Sequence, residues 1–148
     1  MKVSANNQSV GNAPQSPSMT IFPLFVYGTL RKDVNKSMFH LLAKQSRFLG
    51  SAKVRGRLYD LGDYPGLVPS DEARWVRGEA YQIDDNPDVL LTLDRYEGCS
   101  PEDPAPHEFE RVTQLAVLDD GTTQQVWVYV YRLSIDEKPE IGSGDYNT

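Results

Sequence analysis

Cysteine and histidine are scarce in this sequence of 148 residues, and their scarcity limits the chemistry that the chain can support. The single cysteine, Cys99, has no partner for an internal disulfide, so a reducing, cytoplasmic compartment is expected. Cys99 also follows the C-terminal end of a predicted helix, which disfavours a thiolate, and we interpret it as a small loop residue. The two histidines, His40 and His107, lie in unrelated contexts without metal-binding spacing, so no metal site is expected.

An excess of positive charge and long apolar runs are also missing. Lysine and arginine number 15 against 21 aspartates and glutamates, which gives a formal net charge of −6. Such an acidic surface argues against a nucleic acid or an anionic membrane as a partner. No apolar run approaches the ~20 residues that span a bilayer, and the N-terminus lacks the apolar segment of a signal peptide. The sequence has no G-x-S-x-G, P-loop or G-x-G-x-x-G motif.

The chain divides into a polar N-terminal tail and one domain. Residues 1–20 are rich in Asn, Gln, Ser and Pro and poor in large apolar side chains, which predicts a disordered tail. The domain is expected over residues 21–148, a length that allows a hydrophobic core and a small-molecule cleft.

Strand patterns outnumber helix patterns in this domain. Strands are predicted in IFPLFVY, RFLGSAKVRGRLYDLG, the stretch after DYPG, RWVRGEAYQI, FERVTQLAVL and TTQQVWVYVYRL. The last two are expected to form a hairpin through residues 119–121, Asp-Asp-Gly. Helices are predicted in KSMFHLLAK, after Asn35, and in NPDVLLTLDRYEG, which ends at Gly98. Bent strands with few helices predict an α+β fold built on a small curled sheet or barrel.

Glu97 is the candidate acid–base residue. It occupies the last helical position before Gly98, where the negative end of the helix dipole penalises the ionised carboxylate. Desolvation against Tyr96 and neighbouring aromatic rings would raise the pKa of Glu97 toward neutrality, as a general acid/base requires. The alternative is an ordinary solvated glutamate at a helix end, and this residue taken alone favours that alternative.

Other residues allow both a structural and a functional interpretation. The stretch FVYGTLR, residues 25–31, ends a strand in a turn of small residues, which is either a plain turn or a pocket of substrate-binding amides. Arg111 either pairs with a buried carboxylate or faces outward from its strand. Tyr129 and Tyr131 are interpreted more readily as core residues than as site residues, because they alternate with valines in VWVYVY.

Several segments in order carry a resemblance to a known family: FVYGTLR, GRLYDLGDYPGLV, VRGEAYQID, LDRYEG, FERVTQLAV, WVYVYRL and SGDY. Together they closely resemble the γ-glutamylcyclotransferase-like family, which includes AIG2-like proteins and γ-glutamylamine cyclotransferase. The most specific feature is Tyr-Gly-Thr-Leu after a strand combined with Asp-x-Tyr-Glu-Gly after a helix. The resemblance covers roughly residues 24–146 and implies a small mixed β-barrel of about six strands with a few flanking helices.

The resemblance also implies an enzyme and its site residues. In the family's reaction the α-amine of a γ-glutamyl group attacks its own γ-carbonyl, releasing 5-oxoproline and a free amine or amino acid without a cofactor. Glu97 matches the family's catalytic glutamate. The family's substrate-binding loop is matched by Tyr27, Gly28, Thr29 and Leu30. We expect the backbone amides of this segment to hold the substrate's α-carboxylate or the oxyanion on the γ-carbon.

Some features depart from the family pattern or leave alternatives open. Phe109 stands where many members carry tyrosine, and the acidic loop 100–108 is expected to reshape the pocket rim. Gly98 and Cys99 are similar to the γ-glutamylamine branch. The expected partner is a small-molecule γ-glutamyl compound, and the alternative function is a non-catalytic binding or regulatory module that uses the same cavity. A purely structural domain would have no concave site between residues 27–30 and Glu97.

Overall fold

The computed structural model describes residues 22–27, 46–72, 74–83 and 87–146. The predicted tail 1–20 and the predicted helix KSMFHLLAK lie outside these ranges, as do Gly28, Thr29 and Leu30. The division of the chain at residue 20 therefore stays a prediction. Within the described ranges, no helix is long and apolar enough to cross a membrane.

The described part of the chain forms six strands and one helix. Their bounds are β1 Leu24–Val26, β2 Ser46–Asp60, β3 Pro65–Pro69, β4 Trp75–Ile83, α1 Pro87–Glu97, β5 Phe109–Leu118 and β6 Thr123–Tyr131. The predicted antiparallel hairpin is present, with Val117 of β5 paired to Thr123 of β6 across the turn. The prediction of an α+β fold with about six strands is confirmed.

Five of the strands close into a barrel. They follow the order β2-β4-β1-β6-β5, β5 pairs again with β2, and β3 extends the sheet from β2. All pairs are antiparallel except β1 with β6. The long strand β2 pairs with three strands, β3, β4 and β5. Its register with β4 shifts between Phe48 and Gly50, as expected where a bulge bends a strand. The predicted barrel is thus confirmed.

Strand β1 is short, but it is buried on both faces. Phe25 and Tyr27 belong to the core inside the barrel, whereas Leu24 and Val26 belong to the core between the barrel and α1. This division follows from the two-residue period of a strand. Gly78 of β4 permits the close approach, because a Cβ atom there would overlap the carbonyl oxygen of Val26. The chain leaving β1 at Tyr27 is therefore held tightly against its neighbours.

Strand β6 shows the same alternation. Its valines, Val126, Val128 and Val130, are completely buried inside the barrel, while Tyr129 and Tyr131 are buried on the other face. The apolar side of α1 packs against that face, so the helix lies against the outside of the barrel. The prediction that both faces of VWVYVY are covered is confirmed.

Candidate active site

A cavity of about 280 Å³ opens where the ends of β1 and α1 meet the starts of β3 and β5. Most of its described lining is aromatic, with two carboxyl groups: Phe25, Val26, Tyr27, Tyr64, Pro65, Tyr96, Glu97, Glu108, Phe109 and Tyr129. Tyr27 and Glu97, which are far apart in the sequence, therefore line one cavity. The other predicted binding residues, Gly28, Thr29 and Leu30, follow Tyr27 and lie outside the described residues.

Glu97 is the last residue of α1, and hydrogen bonds define how the helix ends after it. The N–H of Gly98 donates to the carbonyl of Arg95 at 3.2 Å, and Gly98 has a φ of 78°. The N–H of Cys99 donates to the carbonyl of Asp94 at 2.9 Å. These two bonds and the left-handed glycine form a Schellman motif. The helix ends at Gly98 as predicted, and the motif fixes the backbone from which Glu97 reaches the cavity.

Burial, followed by the charges of Glu108 and Asp94, raises the pKa of the Glu97 carboxyl to about 7. The direction of this shift agrees with the expectation of desolvation at the helix end. The contribution of two further carboxylates was not foreseen. A carboxyl group with this pKa exchanges a proton readily near neutral pH, which suits a general acid/base.

Asp94, one helical turn before Glu97, anchors α1 to the barrel. Arg111 of β5 donates from Nε to Oδ1 at 2.8 Å and from Nη2 to Oδ2 at 3.1 Å. The hydroxyl of Tyr129 donates to Oδ1 of Asp94 at 2.6 Å. The guanidinium of Arg111 also lies 4.4 Å from the ring centre of Trp127. Of the two interpretations of Arg111, the structure confirms the one in which it pairs with a buried carboxylate.

The hydroxyl of Tyr27 is used inside the fold. It donates to the carbonyl oxygen of Tyr129 at 2.5 Å and accepts a hydrogen bond from the N–H of Leu67 at 3.1 Å. Burial raises the pKa of this phenol far above its ordinary value. The Tyr27 side chain thus connects the end of β1 to β6 and β3 beside the cavity. These hydrogen bonds fix the position of Tyr27, the residue before Gly28.

A second carboxyl group, Glu108, lines the cavity together with Tyr64. The hydroxyl of Tyr64 lies 2.9 Å and 2.7 Å from the two carboxylate oxygens of Glu108. Burial, followed by this hydrogen bond, raises the pKa of Tyr64 to about 12. The sequence did not single out either residue. The available signals were the acidic loop 100–108, which contains Glu108, and the family-like segment GDYPGLV, which contains Tyr64.

Tyr129 lines the cavity as well as the core, so the interpretation of it as a core residue was incomplete. Cys99 and His107, by contrast, are not among the residues that line the cavity. Burial raises the pKa of the Cys99 thiol to about 11, which keeps it protonated at neutral pH. Nε2 of His107 lies 3.1 Å from the carbonyl oxygen of Asp103. Among the described residues, no cluster of His, Cys, Asp and Glu has the arrangement of a metal site, and His40 lies outside them.

Residues 24–148 match the protein family described as gamma-glutamyl cyclotransferase, AIG2-like. The chain is 34% identical over 110 residues to the gamma-L-glutamyl-butirosin B gamma-glutamyl cyclotransferase of Niallia circulans, covering 73% of this chain and 65% of that protein. It is also 34% identical over 124 residues to the gamma-glutamylcyclotransferase family protein YtfP of Escherichia coli K12, covering 83% of this chain and 94% of YtfP.

Two solved structures share the fold. The solution structure of Escherichia coli YtfP matches with a TM-score of 0.59 and 32% identity, over 84% of this chain and 96% of that one. The crystal structure of a mouse AIG2-like protein matches with a TM-score of 0.66 and 23% identity, over 84% of this chain and 87% of that one. The family match covers the whole described barrel, from Leu24 of β1 to Tyr131 of β6. The chain belongs to the AIG2-like gamma-glutamyl cyclotransferase family.

Proposed function

We propose that this protein is a γ-glutamyl cyclotransferase that releases 5-oxoproline and a free amine, with Glu97 as its general acid and base. One observation carries the proposal. The Glu97 carboxyl, with a pKa of about 7, lines the same aromatic cavity as Tyr27, the first residue of the Tyr-Gly-Thr-Leu segment. Membership of the family supports the reaction class.

In the proposed reaction the substrate supplies its own nucleophile. Glu97 as a carboxylate takes a proton from the α-ammonium, and the freed amine attacks the γ-carbonyl carbon to close a five-membered ring. The ring nitrogen loses a second proton as the tetrahedral intermediate collapses and the bond from the γ-carbon to the amide nitrogen breaks. Glu97 delivers the two protons in turn to the leaving nitrogen, which departs as an ammonium group. Proton transfer by a positioned group of this kind contributes ~10²–10⁴-fold to the rate.

Holding the substrate in the folded shape is the other requirement. Correct orientation of tethered groups can supply ~7–11 kcal/mol of a barrier. The proposal assigns substrate binding to the segment Tyr27, Gly28, Thr29 and Leu30, whose backbone N–H groups would hold the α-carboxylate or the oxyanion on the γ-carbon. The position of Tyr27 on the cavity supports this assignment.

The name of one relative bears on the class of substrate. The relative from Niallia circulans is named as a gamma-glutamyl cyclotransferase of gamma-L-glutamyl-butirosin B. We therefore extend the proposal to small-molecule γ-glutamyl compounds, either γ-glutamyl amines or γ-glutamyl amino acids. No cofactor takes part in the proposed steps, because the nucleophile comes from the substrate and the proton carrier is Glu97.

The test is incubation of the purified protein with a panel of γ-glutamyl amines and γ-glutamyl amino acids, with 5-oxoproline measured by mass spectrometry. We expect turnover of at least one compound and a loss of at least ~10²-fold in Glu97→Gln. The matched control is Glu102→Gln, since the Glu102 side chain is 74% exposed in the loop after α1. Binding without release of 5-oxoproline would favour the non-catalytic module, and unchanged turnover in Glu97→Gln would remove that residue from the mechanism.

A further inference from the structure

The cavity contains a carboxylate that the cyclisation does not use. Glu108 lines it beside Tyr64, whose hydroxyl lies within hydrogen-bond distance of both carboxylate oxygens, at 2.9 Å and 2.7 Å. One tyrosine hydroxyl carries one proton, so most of the acceptor capacity of this carboxylate stays available to a ligand. Tyr64 therefore fixes the direction of the Glu108 carboxylate without neutralising its charge.

The surroundings of Glu108 suit a chain of methylene groups that ends in a cation. The ring of Phe109 packs against that of Tyr64 with 5.8 Å between ring centres, and both rings line the cavity. No lysine, arginine or histidine is among the described residues that line it. The described lining is mostly aromatic and its charged groups are the two acidic ones, Glu97 and Glu108, an environment that attracts a positive charge.

We propose that Glu108, oriented by Tyr64, binds a positive charge on the leaving amine and so selects γ-glutamyl derivatives of aliphatic diamines. The inference rests on the proposed function, in which the leaving nitrogen accepts protons from Glu97. The substituent on that nitrogen therefore begins near Glu97 and extends through the cavity that Glu108 also lines.

The α-ammonium of the substrate is a poor alternative partner for Glu108. It must lose a proton before it can attack the γ-carbonyl carbon. A carboxylate bound to it would stabilise the ammonium form and so oppose that deprotonation. A distal ammonium on the leaving amine takes no part in the chemistry, so its binding to Glu108 carries no such penalty.

Two isosteric substrates test the proposal. One is γ-glutamyl-1,4-diaminobutane, and the other is γ-glutamyl-n-pentylamine, in which a methyl group replaces the distal ammonium. We expect wild type to prefer the diamine derivative and Glu108→Gln to lower the ratio of the two kcat/KM values about tenfold. Because both substrates are measured on the same variant, any change in the proton affinity of Glu97 cancels in the ratio. Tyr64→Phe should lower the ratio by a smaller factor, since it removes only the orienting hydroxyl.

The matched control is Glu110→Gln. Glu110 lies on the same strand as Phe109, but its side chain is 52% exposed and pairs with Arg132 at 2.8 Å, away from the cavity. This variant should keep the wild-type ratio. Equal ratios in Glu108→Gln and Glu110→Gln would overturn the proposal, as would an equal loss for both substrates, which would assign Glu108 to the α-ammonium.

A binding measurement separates this inference from the proposed function. At one common concentration, the compound that binds the folded protein more tightly should raise the Tm more. The diamine derivative should give the larger rise in wild type, and that advantage should disappear in Glu108→Gln. If no compound yields 5-oxoproline, the proposed function fails, and this difference in Tm still decides whether Glu108 selects the cation. Equal rises for the two compounds in wild type would reject the selection.

Discussion

Arg111 donates two hydrogen bonds to the carboxylate of Asp94, one of 2.8 Å from Nε and one of 3.1 Å from Nη2. The pair is largely buried, with 22% of the Arg111 side chain and 10% of the Asp94 side chain exposed. Bidentate geometry makes such a pair both strong and directional. Because Asp94 lies one turn before Glu97, this ion pair determines how the end of α1 sits against the barrel.

Arg111→Met should therefore destabilise the protein strongly. It leaves Asp94 as a buried carboxylate without its cation, and loss of one partner from a buried pair costs about 3 kcal/mol. Urea unfolding at pH 7 measures the change in the free energy of unfolding. The control is Arg132→Met, which breaks the exposed pair with Glu110 on the same hairpin and should cost less than about 1 kcal/mol. Equal losses in the two variants would show that burial of the Asp94 pair is unimportant.

Glu97 should make the protein less stable as the pH rises toward neutrality. Its pKa is about 7 in the fold against 4.5 as the ordinary value, so the folded protein binds more protons than the unfolded chain between these limits. The free energy of unfolding then falls as pH rises through this window and levels off above it. Glu97→Gln removes this effect, so it should gain about 2 kcal/mol relative to wild type between pH 5 and pH 8.

Urea unfolding of wild type and Glu97→Gln at several pH values across this range measures that gain. Glu102→Gln removes an exposed carboxyl group, so its free energy of unfolding should change with pH in the same way as that of wild type. A constant difference between Glu97→Gln and wild type would mean that the carboxyl group is solvated.

Glu108 should control the pH at which the enzyme becomes active. On the proposed mechanism, kcat/KM rises with pH as Glu97 ionises, around its pKa of about 7. Glu108 contributes to that raised pKa through its charge, so Glu108→Gln should lower the pKa of Glu97. The acidic limb of the profile should then move to lower pH. Rates with γ-glutamyl-n-pentylamine, which has no distal cation, measure the shift, and an unmoved limb would show that the two carboxyl groups are not coupled.

Gly98→Ala should weaken both the fold and the site. A Cβ atom at this position would meet nothing within 4 Å, so the whole penalty comes from the left-handed φ of 78°. That conformation costs a non-glycine residue about 1 kcal/mol. Activity should fall as well, because the turn at Gly98 fixes the backbone of Glu97. Gly142→Ala is the control, since its site is equally open and its φ is not positive, and thermal unfolding with rate measurements compares the two.

Tyr27→Phe should destabilise the end of β1. It leaves the carbonyl of Tyr129 without its donor and the N–H of Leu67 without its acceptor, and each buried unpaired group costs about 1–3 kcal/mol. Urea unfolding measures the loss. Tyr131→Phe is the control, because its hydroxyl makes a long 3.4 Å bond to the carbonyl of Ser134, and its loss should be clearly smaller. Similar losses would mean that the bridge through Tyr27 contributes little.

Much of the fold could be predicted because its signals are local. The alternation of valine and aromatic residues in VWVYVY predicts a strand covered on both faces, and β6 is buried in this way. The end of α1 at Gly98 follows from glycine's access to positive φ. Glu97 could be singled out because its position at the helix end bears on the proton affinity of a carboxyl group and because the segment LDRYEG resembles the family's catalytic segment.

Other residues of the site carried too little local signal. Glu108 lies in a loop where proline and acidic residues alternate, and which of those side chains faces a cavity depends on the path of the chain. Asp94 looks like an ordinary charge on a helix surface, and Arg111 could equally have faced outward from its strand. The contact between them joins elements that are separate in the sequence.

The sequence by itself determined the order of strands and helix, the alternation that makes each strand two-sided, and the helix end that presents Glu97. These features arise from backbone preferences and side-chain periodicity within a few residues. Only the tertiary structure decided that the end of β1 and the end of α1 line one cavity together with Glu108 and Tyr64. The reason is that desolvation and charge proximity, which raise the pKa of Glu97, come from residues that barrel closure brings together from distant parts of the chain.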